Sequence, residues 1–472
     1  MANIPAAYPA FLAKQFGPSE AEQLIAGYAT EGKTSLRLHP NKLPGVLPLS
    51  PVLHSQGGYF LPKRPLFILD PIWHAGGYYV QEAASMIIGS LVRHLAHPSW
   101  EAALDLCAAP GGKTTDIASQ LPASCLLVAN EVIKTRHGRL LENVQKWGLG
   151  NVATTSVDAS IMAQRLDSFF DLIVADAPCS GEGLFRKDAN AAAEWSEDHV
   201  VFCADRQQRI VADIWPALKA GGLLIYSTCT LNKLENEENI AWMQQTLGAE
   251  ILPIPEEIAS LTHAKDANGL GLRFAPGAEG GEGFFVSILR KKGVQWDGKA
   301  WQSGKKSRIV LPHRKVLAEV ERWIEPKANL TFFEHNEVAH LLPEPLRNIL
   351  NRLVDSCPIL YAGTAMGTLQ PNSKEGMLPD AALATSIHLA KGRMPYQTWP
   401  MDSETALNYL HKDTLPGGTI PDGGFLATYA GLGLGWGKMI AARRVNNHYP
   451  APRRILMDVP QGDRWSLLAM RK

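Results

Sequence analysis

Short apolar runs recur through the middle of the chain, separated by amphipathic stretches of helical spacing. AALDLC (102–107) ends at Pro110, Gly111 and Gly112, and LLVANEV (126–132) leads into a helical stretch over 134–149. VATTSVD (152–158) and DLIVADAP (171–178) are strand-like, residues 199–219 have helical spacing, and LLIYSTCT (223–230) follows Gly221 and Gly222. A helix over 236–248 and the run FFVSILRK (284–291) complete the series. Strands alternating with helices predict an α/β fold on a doubly wound, mostly parallel sheet. Ligands of such sheets sit beyond the carboxyl ends of the strands.

The flanks read differently. Residues 1–95 predict a small α+β module: a helix near 19–32, the strand SLRLH (35–39), and a closing helix over 81–95. Residues 96–292 hold the doubly wound domain. Residues 293–310 are basic and poor in aliphatics, which reads as a linker. Residues 311–395 read as a mainly helical intermediate domain. From 396 to 472, glycine clusters and short apolar runs predict a small β-rich domain.

Composition narrows the class. The chain has 472 residues, 46% of them hydrophobic, enough for several cores. No apolar stretch of about 18 residues appears, and the N-terminus lacks a basic segment followed by an apolar run. A cytoplasmic protein with no membrane contact is the expectation. The cysteines at 107, 125, 179, 203, 229 and 357 form no CxxC pair and no zinc spacing. Reduced thiols and no metal follow. Residues 1–289 hold 21 Lys and Arg against 30 Asp and Glu, and residues 290–472 hold 25 against 16. That asymmetry suits a nucleic-acid partner, and equally a chance distribution of solvated charge.

The strand ends carry the candidate chemistry. In DLCAAPGGKTT (105–115) the turn Pro110-Gly111-Gly112 lets backbone approach a ligand and opens a helix. Glu131, Asp158 and Asp176 follow three successive strands. An acid at the first of these positions suits ribose hydroxyls, while each acid is also an ordinary turn former or helix cap. DAPCSG (176–181) and STCT (227–230) place Cys179 and Cys229 just past two strands. A thiolate added to C6 of cytosine makes C5 nucleophilic towards a sulfonium methyl group. One thiol to attack, one to assist release, and Asp176 near N3 would complete such a site. The alternative is two buried structural cysteines.

DLCAAPGGKTT, DAPCSGEGLFRKD, YSTCT and GEGFFVSILRKK resemble the blocks of the Nol/Nop/Sun-domain family of RNA cytosine-C5 methyltransferases. SLRLH and YYVQEAASM resemble its N-terminal block, although His39 stands where that block usually has Asn. GLGLGWGK and RRVNNHYP resemble the bacterial F-type branch, which methylates small-subunit ribosomal RNA. The resemblance implies a Rossmann-like S-adenosyl-L-methionine-dependent methyltransferase domain over 96–292 and a PUA-like RNA-binding domain over 396–472. It implies that Cys107, Ala108, Ala109, Pro110, Gly111, Gly112 and Lys113 line the cofactor. Glu131 would take the ribose, Asp158 would sit near the adenine, and Asp176 near the methionine part and the base. It assigns Cys229 as nucleophile and Cys179 as helper; the DNA cytosine methyltransferase pattern would reverse the two.

Lys438, Arg443, Arg444, Arg453 and Arg454 surround Trp436, His448 and Tyr449, a pattern suited to phosphates and unpaired bases. The same residues would also make a solvated basic face over core aromatics. Arg186 and Lys187 would hold RNA phosphates or pair with Asp188. Thiol attack comes from the face of the base, so the target cytosine must be unstacked. The expected partner is ribosomal RNA, naked or within the small subunit, met by a monomer. Transfer RNA as substrate, or a non-catalytic RNA-binding assembly factor, are the alternatives.

Overall fold

The computed structural model describes residues 4–277, 281–293, 314–326, 329–370, 377–418, 420–460 and 464–471. Most of the basic stretch read as a linker, residues 294–310, lies outside the described residues.

Two helices, Tyr8–Phe16 and Pro18–Tyr28, precede an antiparallel sheet of β1 (Thr34–Leu38), β2 (Gly58–Leu61) and β3 (Tyr78–Val80). The main sheet starts with β4 (Ala102–Asp105), β5 (Leu126–Asn130), β6 (Val152–Thr155), β7 (Phe170–Asp176) and β8 (Leu218–Thr228). These five run parallel in the order β6-β5-β4-β7-β8. β9 (Glu250–Leu252), β10 (Lys265–Asp266), β11 (Leu272–Phe274) and β12 (Phe284–Arg290) extend it, with β12 antiparallel to β8. The chain winds outward from β4 to β6 and then crosses to β7. The crevice beyond the carboxyl ends of β4 and β7 is therefore the topological switch point.

The strands are apolar on both sides because helices cover both. One face, with Leu104, Val128, Ile173 and Tyr226, packs on the helices Ala159–Arg165, Glu197–Ile214 and Asn239–Leu247. The other, with Ala103, Leu127, Leu172 and Ile225, packs on Ile87–Leu95, Gly112–Gln120 and Lys134–Trp147. The helix expected to close the N-terminal module thus belongs to this core, through Ile87, Ile88, Leu91 and Val92.

The segment after the linker departs from its expected helical character. β13 (Leu330–His335), β14 (Val338–Pro343), β16 (Thr364–Leu369) and β17 (Met377–Pro379) form an antiparallel sheet, and the short β15 (Tyr361–Ala362) pairs with β6. The hairpin between β13 and β14 turns on Asn336 and Glu337, at φ 51° and 65°. Two left-handed residues make the turn that matches strand twist, and glycine usually supplies the second. A turn closed by Glu337 leaves no glycine signal to read. The helix Arg347–Ser356 packs Ile349, Leu350 and Leu353 into the methyltransferase core, so the segment is not a separate domain.

β18 (Gln397–Met401), β19 (Gly423–Tyr429), β20 (Leu432–Ile440) and β21 (Arg444–Asn447) make the C-terminal sheet, with β18 parallel to β19. No helix among the described residues is long and apolar enough to cross a membrane.

Candidate active site

β4 ends at Asp105, whose side chain is fully buried and accepts from Thr114 Oγ1 at 2.6 Å. Its Oδ1 has no hydrogen-bond partner. Burial pushes its pKa up to about 7. Cys107 to Lys113 then turn over the switch point, with Gly111 at φ 110° capping the helix Gly112–Gln120. That conformation favours glycine, and a Cβ there would lie 3.3 Å from Asn143 Cβ. Burial raises the Cys107 thiol to about 12, so it stays protonated beside the acids.

Glu131, just past β5, is buried; Oε1 accepts from Ile133 N at 2.9 Å and Oε2 has no hydrogen-bond partner, with Arg136 at 3.6 Å. Two buried carboxylate oxygens that lack a hydrogen bond, on Asp105 and Glu131, stand past β4 and β5 beside the glycine turn. Acceptors of this kind fit the ribose hydroxyls and amino group of an adenosyl amino acid. Asp158 is exposed and caps the helix Ala159–Arg165 through Ser160 N at 3.0 Å.

Asp176 ends β7. Oδ2 accepts from Lys113 Nζ at 2.9 Å and Oδ1 from Ser227 Oγ at 2.9 Å. Burial works against the Lys113 ammonium, but the Asp176 carboxylate outweighs it and holds the lysine pKa above its ordinary value. The strongest coincidence of fold and motif lies beside this pair. Loops after β7 and β8, 50 residues apart in sequence, bring Cys179 Sγ and Cys229 Sγ to 3.1 Å, both partly accessible. Contact with Cys229, then burial, push the Cys179 thiol well above the ordinary value.

Glu182 and Glu235 fasten these loops, and the sequence reading passed over both. Glu182 is fully buried; it accepts from Leu231 N at 2.8 Å, Asn232 N at 3.0 Å and Asn232 Nδ2 at 2.8 Å. Glu235 accepts from Ser180 N at 3.0 Å and from Asn232 Nδ2 at 2.8 Å. The signal available was charge in otherwise apolar surroundings, which gives no partner without coordinates.

Other expectations shift. Arg186 is engaged by protein groups: it pairs with Glu282 at 2.6 Å and donates to Thr30 O at 2.7 Å and Gly281 O at 2.7 Å. Lys187 is exposed and pairs with Glu282 at 3.2 Å, not with Asp188, which caps the helix Ala189–Glu194. Trp436 and Tyr449 are buried; Trp436 Nε1 donates to Asp380 O at 2.7 Å and Tyr449 OH meets His74 Nδ1 at 3.1 Å. They serve the core. Lys438, Arg443, Arg444, His448 and Arg454 are exposed, and Arg453 bonds Gln145. His39 is fully buried between Trp147 O, at 2.9 Å, and the backbone N–H groups of Asn41 and Lys42. It bridges β1 to the helix Lys134–Trp147, a longer span than Asn could make.

A family model described as 16S rRNA methyltransferase RsmB/F matches residues 92–290, and one described as the methyltransferase RsmF PUA domain matches 397–455. Ribosomal RNA small subunit methyltransferase F of Pectobacterium atrosepticum is 37% identical over 252 residues, 52% of this chain and 51% of that protein. There the chain spans about half the length of its relative. The protein of the same name from Enterobacter sp. is 30% identical over 393 residues, 81% of this chain and 78% of that protein. NSun6 from Pyrococcus horikoshii, solved with SFG, shares the fold at a TM-score of 0.53 and 20% identity, over 62% of this chain and 100% of that one. With the switch-point cradle, the paired cysteines and the C-terminal sheet each falling inside these matches, the chain belongs to the RsmB/F family of 16S rRNA methyltransferases, in the RsmF form with a C-terminal PUA domain.

Proposed function

We propose that this protein transfers a methyl group from S-adenosyl-L-methionine to C5 of a cytosine in small-subunit ribosomal RNA, with Cys229 as nucleophile. The observation that carries the reading is the 3.1 Å approach of the two sulfurs beside the Lys113–Asp176 pair. When bound, S-adenosyl-L-methionine supplies an electrophilic methyl group. Cys107 to Lys113, Asp105 and Glu131 hold it at the switch point, with Asp158 on the rim.

Cys179, whose raised pKa keeps its proton, donates to the Cys229 sulfur and favours Cys229 as the thiolate. Cys229 Sγ adds to C6 of the ring, and the electron pair displaced from C5=C6 makes C5 the nucleophile for the methyl group. The Lys113–Asp176 pair holds a proton at the N3 side for the charge that addition develops there. A base removes the C5 proton, the C5=C6 bond re-forms, and Cys229 leaves as the thiolate, again hydrogen-bonded by the Cys179 thiol, so the pair returns to its starting state.

We assign the RNA path to a cleft of about 820 Å³ between the N-terminal module and the methyltransferase domain. Lys33, Arg64 and Lys187 line it and are exposed. The basic face of the C-terminal sheet adds phosphate affinity.

The test uses purified protein, RNA substrate and S-adenosyl-L-methionine. Cys229→Ala should abolish 5-methylcytosine formation, and Cys179→Ala should accumulate a covalent protein–RNA adduct, read as a retarded band on a denaturing gel. An adduct that forms with Cys229→Ala but not with Cys179→Ala would reverse the assignment.

A further inference from the structure

A second cavity, of about 400 Å³, lies where three parts of the chain meet. Asn41 and Lys42 come from the N-terminal module, Thr385, Ser386 and Lys391 from the intermediate segment, and Gly433 from the PUA sheet. Lys42 Nζ donates to Ala75 O at 2.9 Å and to Lys146 O, which leaves one N–H. Lys391 Nζ donates to Gly431 O and keeps two. Burial, then the Lys391 and Lys146 cations, hold the Lys42 pKa well below its ordinary value. Behind them, Lys146 is spoken for by Glu142, at 3.5 Å, and lies over the Trp73 ring at 3.9 Å. Arg453, bonded to Gln145, adds a further positive charge to the same seam.

The exposed Lys391 ammonium and the half-buried Lys42 amine face one polar cavity, where the charge on Lys391 works against a charge on Lys42. An anion between them removes that cost and takes up their spare N–H groups. Phosphate suits the geometry: it offers several acceptors to cations approaching from different sides. Ser386 Oγ already accepts from His388 N at 3.2 Å, so its hydroxyl proton is a further donor.

We propose that the Lys42–Lys391 cavity is a phosphate-binding site, occupied in the working protein by a backbone phosphate of the RNA substrate. The RNA source rests on the function proposed above; the anion site does not. The site would fix the RNA at the junction of the three parts, away from the reacting base.

The full-length protein is titrated with inorganic phosphate at constant ionic strength, and the melting temperature is followed. Phosphate should stabilise the wild type and Lys391→Arg but not Lys391→Ala. Lys391 is exposed, so its replacement leaves the fold intact. RNA affinity is then measured against salt. Lys391→Ala should weaken binding several-fold and lower the slope of log K against log salt by about 0.7. Loss of the phosphate response with unchanged RNA binding would keep the anion site and overturn RNA as its source. Unchanged behaviour in both arms would overturn the proposal. Failure of the wild type to bind RNA would count against the proposed function, while the phosphate arm still decides the site.

Discussion

A charged carboxylate survives in a protein interior only where donors surround it, and both acids that fasten the cysteine loops gather several. Glu182 gathers two backbone N–H groups, the Asn232 amide and, at 3.2 Å, Trp195 Nε1. Glu235 also accepts from Ser180 N, Ser180 Oγ, Gln207 Nε2 and Asn232 Nδ2, yet burial, then the nearby Glu182 charge, raise its pKa from 4.5 to about 7. An acid raised in the folded state stabilises below its unfolded pKa, and that contribution is lost as pH rises through the window from about 4.5 to about 7. At 1.36 kcal/mol per pKa unit the loss is on the order of 3 kcal/mol. Glu235→Gln is neutral throughout. The unfolding free energy of wild type minus that of Glu235→Gln should therefore fall by roughly that amount between pH 4.5 and 8. Chemical denaturation at several pH values measures it, and a flat difference would show that Glu235 does not titrate in this window. The same residues show where reading the sequence stopped. Cys179, Cys229 and Glu131 announce themselves as unusual residues at strand ends. Asp105 sits inside the apolar run AALDLC and looks like its terminator; only its orphaned oxygen marks it as a ligand group.

At the scale of elements, the alternation of apolar runs and helices was legible at β4 to β8 and at β12, because those strands are buried on both faces; the short strands β9 to β11, of which β10 is exposed, gave no such run. Legibility failed where the turn chemistry was unusual, at Asn336-Glu337, and where an element packs outside its apparent module. The helix Ile87–Leu95 is such a case. Its interior holds Gly89, where a Cβ would stand 2.2 Å from Asp116 Oδ1. Asp116 is buried and lies 3.5 Å from Arg37, which also donates to Thr115 Oγ1 at 2.8 Å and ties β1 to the cofactor helix. Alanine in a helix interior normally gains about 1 kcal/mol over glycine. Here the methyl group would displace the buried carboxylate that pairs with Arg37, and overpacking of this kind costs about 1–3 kcal/mol. Gly89→Ala should therefore lower Tm, against the helix-propensity trend, as followed by circular dichroism on heating. A raised Tm would mean that Asp116 yields freely and that the Arg37 contact is loose.

The parts of the molecule are joined by buried contacts rather than by the basic linker alone. Asp70 Oδ2, in the N-terminal module, accepts from Leu467 N at 3.3 Å near the chain end, and His74 meets Tyr449 of the PUA sheet. A Cβ on Gly433 would strike Ala384 O at 1.9 Å, so PUA and intermediate segments touch backbone to backbone. Anchored this way, the N-terminal module forms a fixed wall of the cleft over the methyltransferase domain. The wall is pinned from the other side by Arg186, whose guanidinium reaches Thr30 O and Glu282 at once. Among the cations lining the cleft, the wall itself exposes Lys33 and Arg64. Each phosphate neutralised on a single strand contributes about 0.7 to the salt slope. Lys33→Ala with Arg64→Ala should lower that slope by about 1.4 and raise KM for RNA. KM for S-adenosyl-L-methionine and kcat at saturating RNA should stay as they are, because neither side chain belongs to the cofactor cradle or the cysteine loops. Steady-state methylation at several salt concentrations separates these quantities. A fall in kcat with an unchanged slope would place the two cations in the positioning of the base, and the path of the RNA strand would have to be sought outside this cleft.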